Sequence, residues 1–540
     1  MALIGFDVAP DAQQNLVALY EERHSGSLGL TDEQKAEAVI ADVMKDQLLG
    51  LKQRQAQATV DGSGTSISVA SNGSATTHAV IAPVGSGLAA FRANYLCTGD
   101  NDQNIINLAI ITVANSGSGD VEFIAGKYYI KQGGLMSSGV ATWTFSGYGV
   151  MNRPGVRLVG SWPGVEFIAT GPESGPWHNA VIMMGDTRGD LGEMSVTNIK
   201  VNADNNWWYG IGIPDASAGT ITIDAVACRN ALSAGLMDYQ SSATKNIRWS
   251  FFEDNVNRGV LLMNSWNAHI HGGAIRRNRL AGLHIGAWTG ERGPGGNHIV
   301  DGIQISDNGS AATAGHDGVM VDDYQTGVTI SNCHMLRNDE HGLYLRGTGH
   351  AVTGCHFIDN GSCGYRGSPN DSTIANCVAS GNPNDGFRHS GDGTPLNGIG
   401  CSYSGDIAHH NGKHGFWTVG TGVHSVSYSN CQAHHNGELG DMLNGQGGFM
   451  AEYVGSPHIC HVSYSGCHSW DNWGPGFWGE SARHLSYSNC HAYDTGGGTQ
   501  TQGIYTRWCD YTNITGGNIE GILHVAHGVH LIQENVMEVA

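Results

Sequence analysis

SYSGDIAHHN (402–411), SYSNCQAHHN (427–436), SYSGCHSWDN (463–472) and SYSNCHAYDT (486–495) are four versions of one ten-residue unit. Each alternates small and bulky residues, turns at Gly or Asn, alternates again, and in three of the four stops at Asn. Upstream, the punctuating asparagine recurs as Asn230, Asn255, Asn278, Asn308, Asn338, Asn360 and Asn382, and it continues as Asn411, Asn436 and Asn472. The steps run from 22 residues (Asn360 to Asn382) to 36 (Asn436 to Asn472). After most of them a short turn reaches a glycine that opens a further alternating strand: GLYLRG from Gly342, GFRHS from Gly386, GFWTV from Gly415, GFMAEY from Gly448, GFWGE from Gly476. Two or three short strands per repeat, with no helix between them, do not close as a sandwich of hairpins. Such a period describes one coil of a parallel β-solenoid, in which each rung buries its inner face against its neighbours.

Stacked rungs turn sequence repeats into columns. Asparagines one rung apart can hydrogen-bond to each other and satisfy turn amides. Cys333, Cys355, Cys377, Cys431, Cys467 and Cys490 share a column beside the NC or GC turn. In-register neighbours stand ~4.8 Å apart with parallel Cβ vectors, beyond the ~3.8 Å that a disulfide prefers, so buried free thiols are expected. His409–His410 and His434–His435 align on consecutive rungs, and His468 aligns with His491. These read as stacked surface imidazoles or, alternatively, as a zinc site. No third ligand follows a recognised spacing, so no metal and no cofactor is assigned.

Composition agrees with short strands and tight turns. The 540 residues include 80 Gly and only 13 Pro, and 14% are charged; Gly and Asn supply the positive φ that turns need. A long helical protein is excluded. The net charge of −21 repels nucleic acid and anionic membrane, and no apolar run approaches the ~20 residues of a membrane span. The start, MALIGFDVAPDAQQ, has no basic region, so no secretion signal is expected. Twelve cysteines contain no CxxC pair, against a zinc ribbon or redox motif. Residues 1–60 differ in texture, with helices expected over 11–23 and 31–59. Ala36, Ile40, Val43, Met44, Leu48 and Leu51 share one face of the second. That face suits either packing within its own domain or an oligomerising, docking stalk. The division is therefore 1–60 helical, 61–93 a β-rich connector, 94–530 the solenoid and 531–540 a tail.

GDNDQNIINLAIITVANSGSGDVEFIAGKYYI from Gly99 and GVRLVGSWPGVEFIATG from Gly155 resemble the entry of pectate-lyase-like right-handed parallel β-helix proteins. With the Asn-terminated repeats, the resemblance spans roughly residues 94 to 530. It implies an all-β, right-handed parallel β-helix with a short N-terminal helical segment, and a helix from about Asn104 to Ala114 capping the solenoid. Helical start plus capped β-helix most resembles a bacteriophage tailspike or tail-fibre depolymerase. That resemblance implies synthesis in the host cytoplasm, a place on the virion tail, a homotrimer, phage tail or baseplate partners for residues 1–60, and a bacterial surface polysaccharide (capsule, exopolysaccharide or O-antigen) as substrate. Two alternatives are a non-catalytic structural or receptor-binding tail protein and a free-standing polysaccharide lyase or epimerase. The DPHD motif of alginate epimerases is absent.

Strand alternation aims the second and fourth residues after each glycine outward. That column holds Leu261/Met263, His284, Met320/Asp322, Tyr344/Arg346, Arg366, Arg388, Trp417, Met450/Glu452, Trp478/Glu480 and Tyr505/Arg507. Rings stack on sugar faces, while Arg and carboxylates bind hydroxyls and sugar acids. Trp417, Trp478, Tyr344, Arg346, Arg388, Tyr505 and Arg507 are the candidate substrate-binding residues. The same composition suits a subunit interface. For cleavage the candidates are Glu452 and Glu480, on consecutive rungs, with Asp322 in reserve; hydrolysis is favoured over elimination.

Overall fold

Each coil of the chain runs through three short strands, and in-register stacking builds three long sheets of 18, 16 and 16 strands. The computed structural model describes residues 77–86, 93–131, 134–135, 147–161, 164–171, 179–185, 190–214, 218–286, 294–310, 315–391, 398–438, 446–453, 460–495, 500, 502–520, 524–526, 530–534 and 537–539. The helices expected over 1–60 lie outside these residues. So does most of 61–93, although His78–Ala82 pairs in parallel with Gly119–Phe123 and so joins the first sheet. At the far end Met537–Val539 still pairs with Asn518–Glu520.

One rung illustrates the coil. Ser402–Ser404 lies in the first sheet, Ile407–His409 in the second and Phe416–Val419 in the third. The ten-residue unit is thus a first-sheet strand, a turn and a second-sheet strand. Its tyrosine points inward and stacks rung on rung, with ring centroids 4.8 Å (Tyr403–Tyr428), 5.1 Å (Tyr428–Tyr464) and 5.2 Å (Tyr464–Tyr487) apart. The phenylalanine after each third-sheet glycine does the same at 4.9, 4.7 and 4.9 Å from Phe387 through Phe416 and Phe449 to Phe477. These distances follow the strand spacing, and each buried ring contributes about 1.5–3 kcal/mol.

The asparagine column is a buried ladder. From Asn255 to Asn436, each side-chain oxygen accepts from the preceding asparagine or residue, and each side-chain amide donates to the next asparagine and, from Asn278 on, to a backbone carbonyl. Just before the ladder residue stands one in the left-handed region: Asp254, Arg277, Asp307, Arg337, Asp359, His410, His435 and Asp471. Asn230 belongs to this second set, with φ 59, and Ala231 takes the ladder place beside it. Asparagine tolerates the left-handed region, so it serves at either position, and the sequence alone misplaces Asn230 by one residue.

The capping helix, α1, spans Asp102–Asn115 and buries Ile106, Ala109, Ile110 and Val113. Its polar residues satisfy sheet edges. Asp102 accepts from the Tyr129 amide (2.8 Å), Gln103 from that of Lys131 (3.0 Å) and Asn107 from that of Met151 (2.8 Å). An edge left open would template further pairing; α1 closes two of them. All six column cysteines are free and buried, and Asp406 fills their column between Cys377 and Cys431, accepting the Cys377 N–H at 2.8 Å.

Candidate functional site

The outer face of the third sheet changes character along its length. Its early portion is apolar: Met183, Tyr209, Met237, Tyr239, Leu261 and Met263 form a second buried cluster outside the solenoid. Leu261 and Met263, expected among the outward candidates, are therefore covered rather than available to a ligand. From His284 onward the face becomes polar.

There the register runs Met320↔Tyr344↔Arg366↔Arg388↔Trp417↔Met450↔Trp478↔Tyr505. The parallel column beside it runs Ser390↔Val419↔Glu452↔Glu480↔Arg507. Tyr344, Arg346, Arg366, Ser368, Arg388, Ser390, Trp417 and Glu452 line one cleft of about 400 Å³. It crosses five rungs, roughly 20 Å at the strand spacing. Its guanidiniums are braced by rings: Arg388 lies 4.2 Å over Trp417, and Arg346 4.8 Å over Tyr344. Arg346 also meets Asp323 at 3.3 Å.

Glu452 closes one end of the cleft. Burial, and then the Glu480 carboxylate on the next rung, raise its carboxyl above the ordinary value. Glu480 pairs closely with Arg507, so its charge is compensated. The two glutamates thus differ in environment, one biased toward holding a proton and the other held by a guanidinium. Trp478, Tyr505 and Arg507 continue the columns on the following two rungs, beyond the cleft lining.

Asp322 has a partner that the sequence did not single out as an acid–base group. Its Oδ2 lies 3.0 Å from His284 Nε2, with the Arg258 charge also nearby. Gly286 makes this possible, because a Cβ there would sit 2.0 Å from Asp322 Oδ2. Burial lowers the pKa of His284. The dyad lies on the rungs next to the cleft rather than in it.

Among the described residues one group of three has ligand atoms close enough for a single ion: Asp317, Glu340 and His341. The fit fails at His341. Its Nδ1 accepts the Cys363 N–H at 3.2 Å, which leaves the ring proton on Nε2 and no free lone pair. A second depression, of about 480 Å³, lies on the first sheet along Ser427, Ser463, Ser486, His461, His484 and Tyr511. It has no carboxylate or guanidinium in its lining and offers less chemistry than the cleft.

Three parallel sheets coiled in this way make the chain a right-handed parallel β-helix protein, and the family model "Right handed beta helix region" matches residues 286–399. No curated protein matches the sequence. Among solved structures, the mannuronan C-5 epimerase AlgE6 A-module of Azotobacter vinelandii is 16% identical, covering 81% of this chain and 95% of its own, with a TM-score of 0.36. ORF18 of Geobacillus virus E2 is 14% identical over 66% of this chain and 59% of its own, at 0.38. A tailspike mutant of E. coli bacteriophage HK620, in complex with a hexasaccharide, is 11% identical over 75% and 74%, at 0.40. Among the described residues no helix is long and apolar enough to cross a membrane.

Proposed function

We propose that this chain is a tailspike-type protein that binds an acidic bacterial surface polysaccharide along the outer face of its third sheet and cleaves it. The observation that carries the reading is the cleft lined by Arg346, Arg366 and Arg388 with Tyr344, Trp417 and Glu452. In a chain of net charge −21, three guanidiniums gathered on neighbouring rungs favour carboxylate-bearing sugars. The two rings supply the flat apolar faces on which sugars stack.

Cleavage falls to Glu452 and Glu480. Carboxyls about 5–5.5 Å apart suit a retaining glycosidase, and strands ~4.8 Å apart favour that spacing. Glu452, biased toward its protonated form, donates to the glycosidic oxygen. Glu480, paired with Arg507, attacks the anomeric carbon. The glycosyl–oxygen bond breaks as the carboxylate bond forms, and water then releases the sugar with Glu452 acting as base. A second reading, elimination, is favoured by the same arginines, which would neutralise a uronate carboxylate. The test is purified protein on capsular and O-antigen glycans, reading reducing ends and unsaturated-uronate absorbance together. Glu452→Gln and Glu480→Gln are expected to lower turnover at least ~100-fold while retaining glycan binding. Near-wild-type turnover in both variants eliminates this pair.

A further inference from the structure

Two charged side chains occupy core positions on one rung. Asp238 points inward from the third sheet, in register with Ile213 on the rung before and Leu262 on the rung after. Lys245 points inward from the first sheet, between Ile221 and Ala268. All four neighbours belong to the apolar core, and both charged side chains are 0% exposed. Lys245 Nζ lies 2.9 Å from Asp238 Oδ2. It also donates to the Ser241 carbonyl at 3.0 Å and to the Trp266 carbonyl.

Stability is a poor reason for such a pair. Burying two ions carries a desolvation cost that their attraction often fails to return, and apolar residues of similar volume commonly do better. The rungs on either side carry those apolar residues. Burial raises the pKa of the Asp238 carboxyl, against the opposing pull of Lys245. One proton moved from Nζ to Oδ2 leaves an amine and a carboxylic acid, both uncharged, as a low-dielectric interior favours. The two remaining N–H groups then match the Ser241 and Trp266 carbonyls, and the lone pair faces the carboxyl group. With a C–O bond of ~1.23 Å, Nζ stands no more than ~4.1 Å from Cγ, within about 1 Å of a near-attack separation. The Ser265 hydroxyl stands at the same carboxyl. His298 adds no charge: its Nδ1 accepts the Ala268 N–H at 3.2 Å, and burial, then Lys245, push its pKa down to about 3.

We propose that Lys245 and Asp238 condense into an intramolecular isopeptide bond that ties the third sheet to the first across this turn. Nζ attacks Asp238 Cγ, and the carbonyl oxygen takes up charge beside the Ser265 hydroxyl. One Nζ proton passes to the hydroxyl of the acid, the Cγ–O bond breaks and one water leaves. The step is redox-neutral and needs no cofactor or second molecule. The product amide keeps one N–H, for the Ser241 or the Trp266 carbonyl, and its own carbonyl accepts from Ser265. Two buried charges become one neutral group, which removes the desolvation cost. The cross-link closes a ring over residues 238–245. It is separate from the third-sheet cleft and does not depend on glycan cleavage.

The test is mass spectrometry of the purified full-length chain after denaturation. Wild type is expected to be lighter than its sequence by one water. Trypsin does not cleave after an amidated lysine, so residues 230–248, bounded by Arg229 and Arg248, should appear as one peptide. That peptide should also lack one water and give no backbone fragments between 238 and 245. Lys245→Arg and Asp238→Ala are each expected to restore the full sequence mass. A wild-type chain of full mass that trypsin cleaves after Lys245 overturns the proposal. So does a water loss that persists in either variant, because a dehydration that needs only one of the two residues is a different reaction. Both masses are read on denatured chain, so neither outcome depends on how well a variant folds.

Discussion

Replacing Asn360 by alanine tests the asparagine ladder at its centre. The Asn360 Oδ1 accepts two donors from the previous rung, the Asn338 N–H at 3.1 Å and Asn338 Nδ2 at 3.0 Å. Its own Nδ2 donates to the Met335 carbonyl at 3.1 Å and to Asn382 Oδ1 at 3.2 Å. Alanine leaves the Asn338 N–H, one Asn338 Nδ2 hydrogen and the Met335 carbonyl without these partners, while Asn382 Oδ1 keeps the bond from the residue-360 N–H (3.0 Å). The site is fully buried, so each orphaned group costs about 1–3 kcal/mol and the three together on the order of 3–9 kcal/mol. That is a large share of the 5–15 kcal/mol typical of a folded domain, and in a solenoid it falls on the interfaces between adjacent rungs. Urea unfolding gives the total, and hydrogen exchange at the Asn338 amide gives the local loss. Asn384→Ala is the control: half-buried, with a 2.9 Å bond to Ser362 Oγ, it should cost only about 0.5–1.5 kcal/mol. If Asn360→Ala costs no more than that control and Asn338 keeps its protection, the ladder does not hold the rungs together.

Asp406 stands among thiols, and burial pushes its carboxyl up to about 7; the folded chain therefore keeps a proton that the unfolded chain has already lost between about pH 4 and 7, and stability falls as pH rises through that window. Asp406→Asn should be neutral at pH 4 and stabilising by on the order of 2–4 kcal/mol at pH 8, read from urea midpoints; equal effects at both pH values refute the assignment. Light scattering of the full chain should show a homotrimer, as the tailspike reading requires, and a monomer at micromolar concentration refutes that assembly.

The sequence displayed whatever repeats at short range. The tyrosine and cysteine columns, the direction of the third-sheet strands and the Glu452–Glu480 register all follow from strand alternation and the spacing of turns, which are local rules. Three features escaped it, each for a physical reason. Asn230 could occupy the ladder or the left-handed turn, because asparagine suits both. Leu261 and Met263 alternate outward correctly, but whether an outward side chain meets solvent depends on what covers the sheet, and here Tyr209 and Met237 share an outer cluster with them. The His284–Asp322 contact joins residues 38 apart in sequence and depends on the missing side chain of Gly286 between them. A coil of variable length hides such a pairing until the register is known.

The three outer faces of the β-helix also differ in how uniform they are. The first sheet repeats serine: Ser402, Ser427, Ser463 and Ser486 stand in one in-register column, and Ser404, Ser429, Ser465 and Ser488 in another. Such columns serve folding, since the same small side chain fits every rung. The third sheet does the reverse. Arg366 stands directly in register with Arg388, and like charges opposite each other on neighbouring strands are destabilising. Both Nε atoms are also buried without a hydrogen-bond partner, a further cost. Stability alone would replace one arginine by a neutral or acidic residue, as it supplies Asp307 to Arg337 elsewhere on the surface. Two in-register guanidiniums braced over Tyr344 and Trp417 make energetic sense when an anionic ligand completes the cleft, and that is the physical ground for proposing this sheet as the binding face.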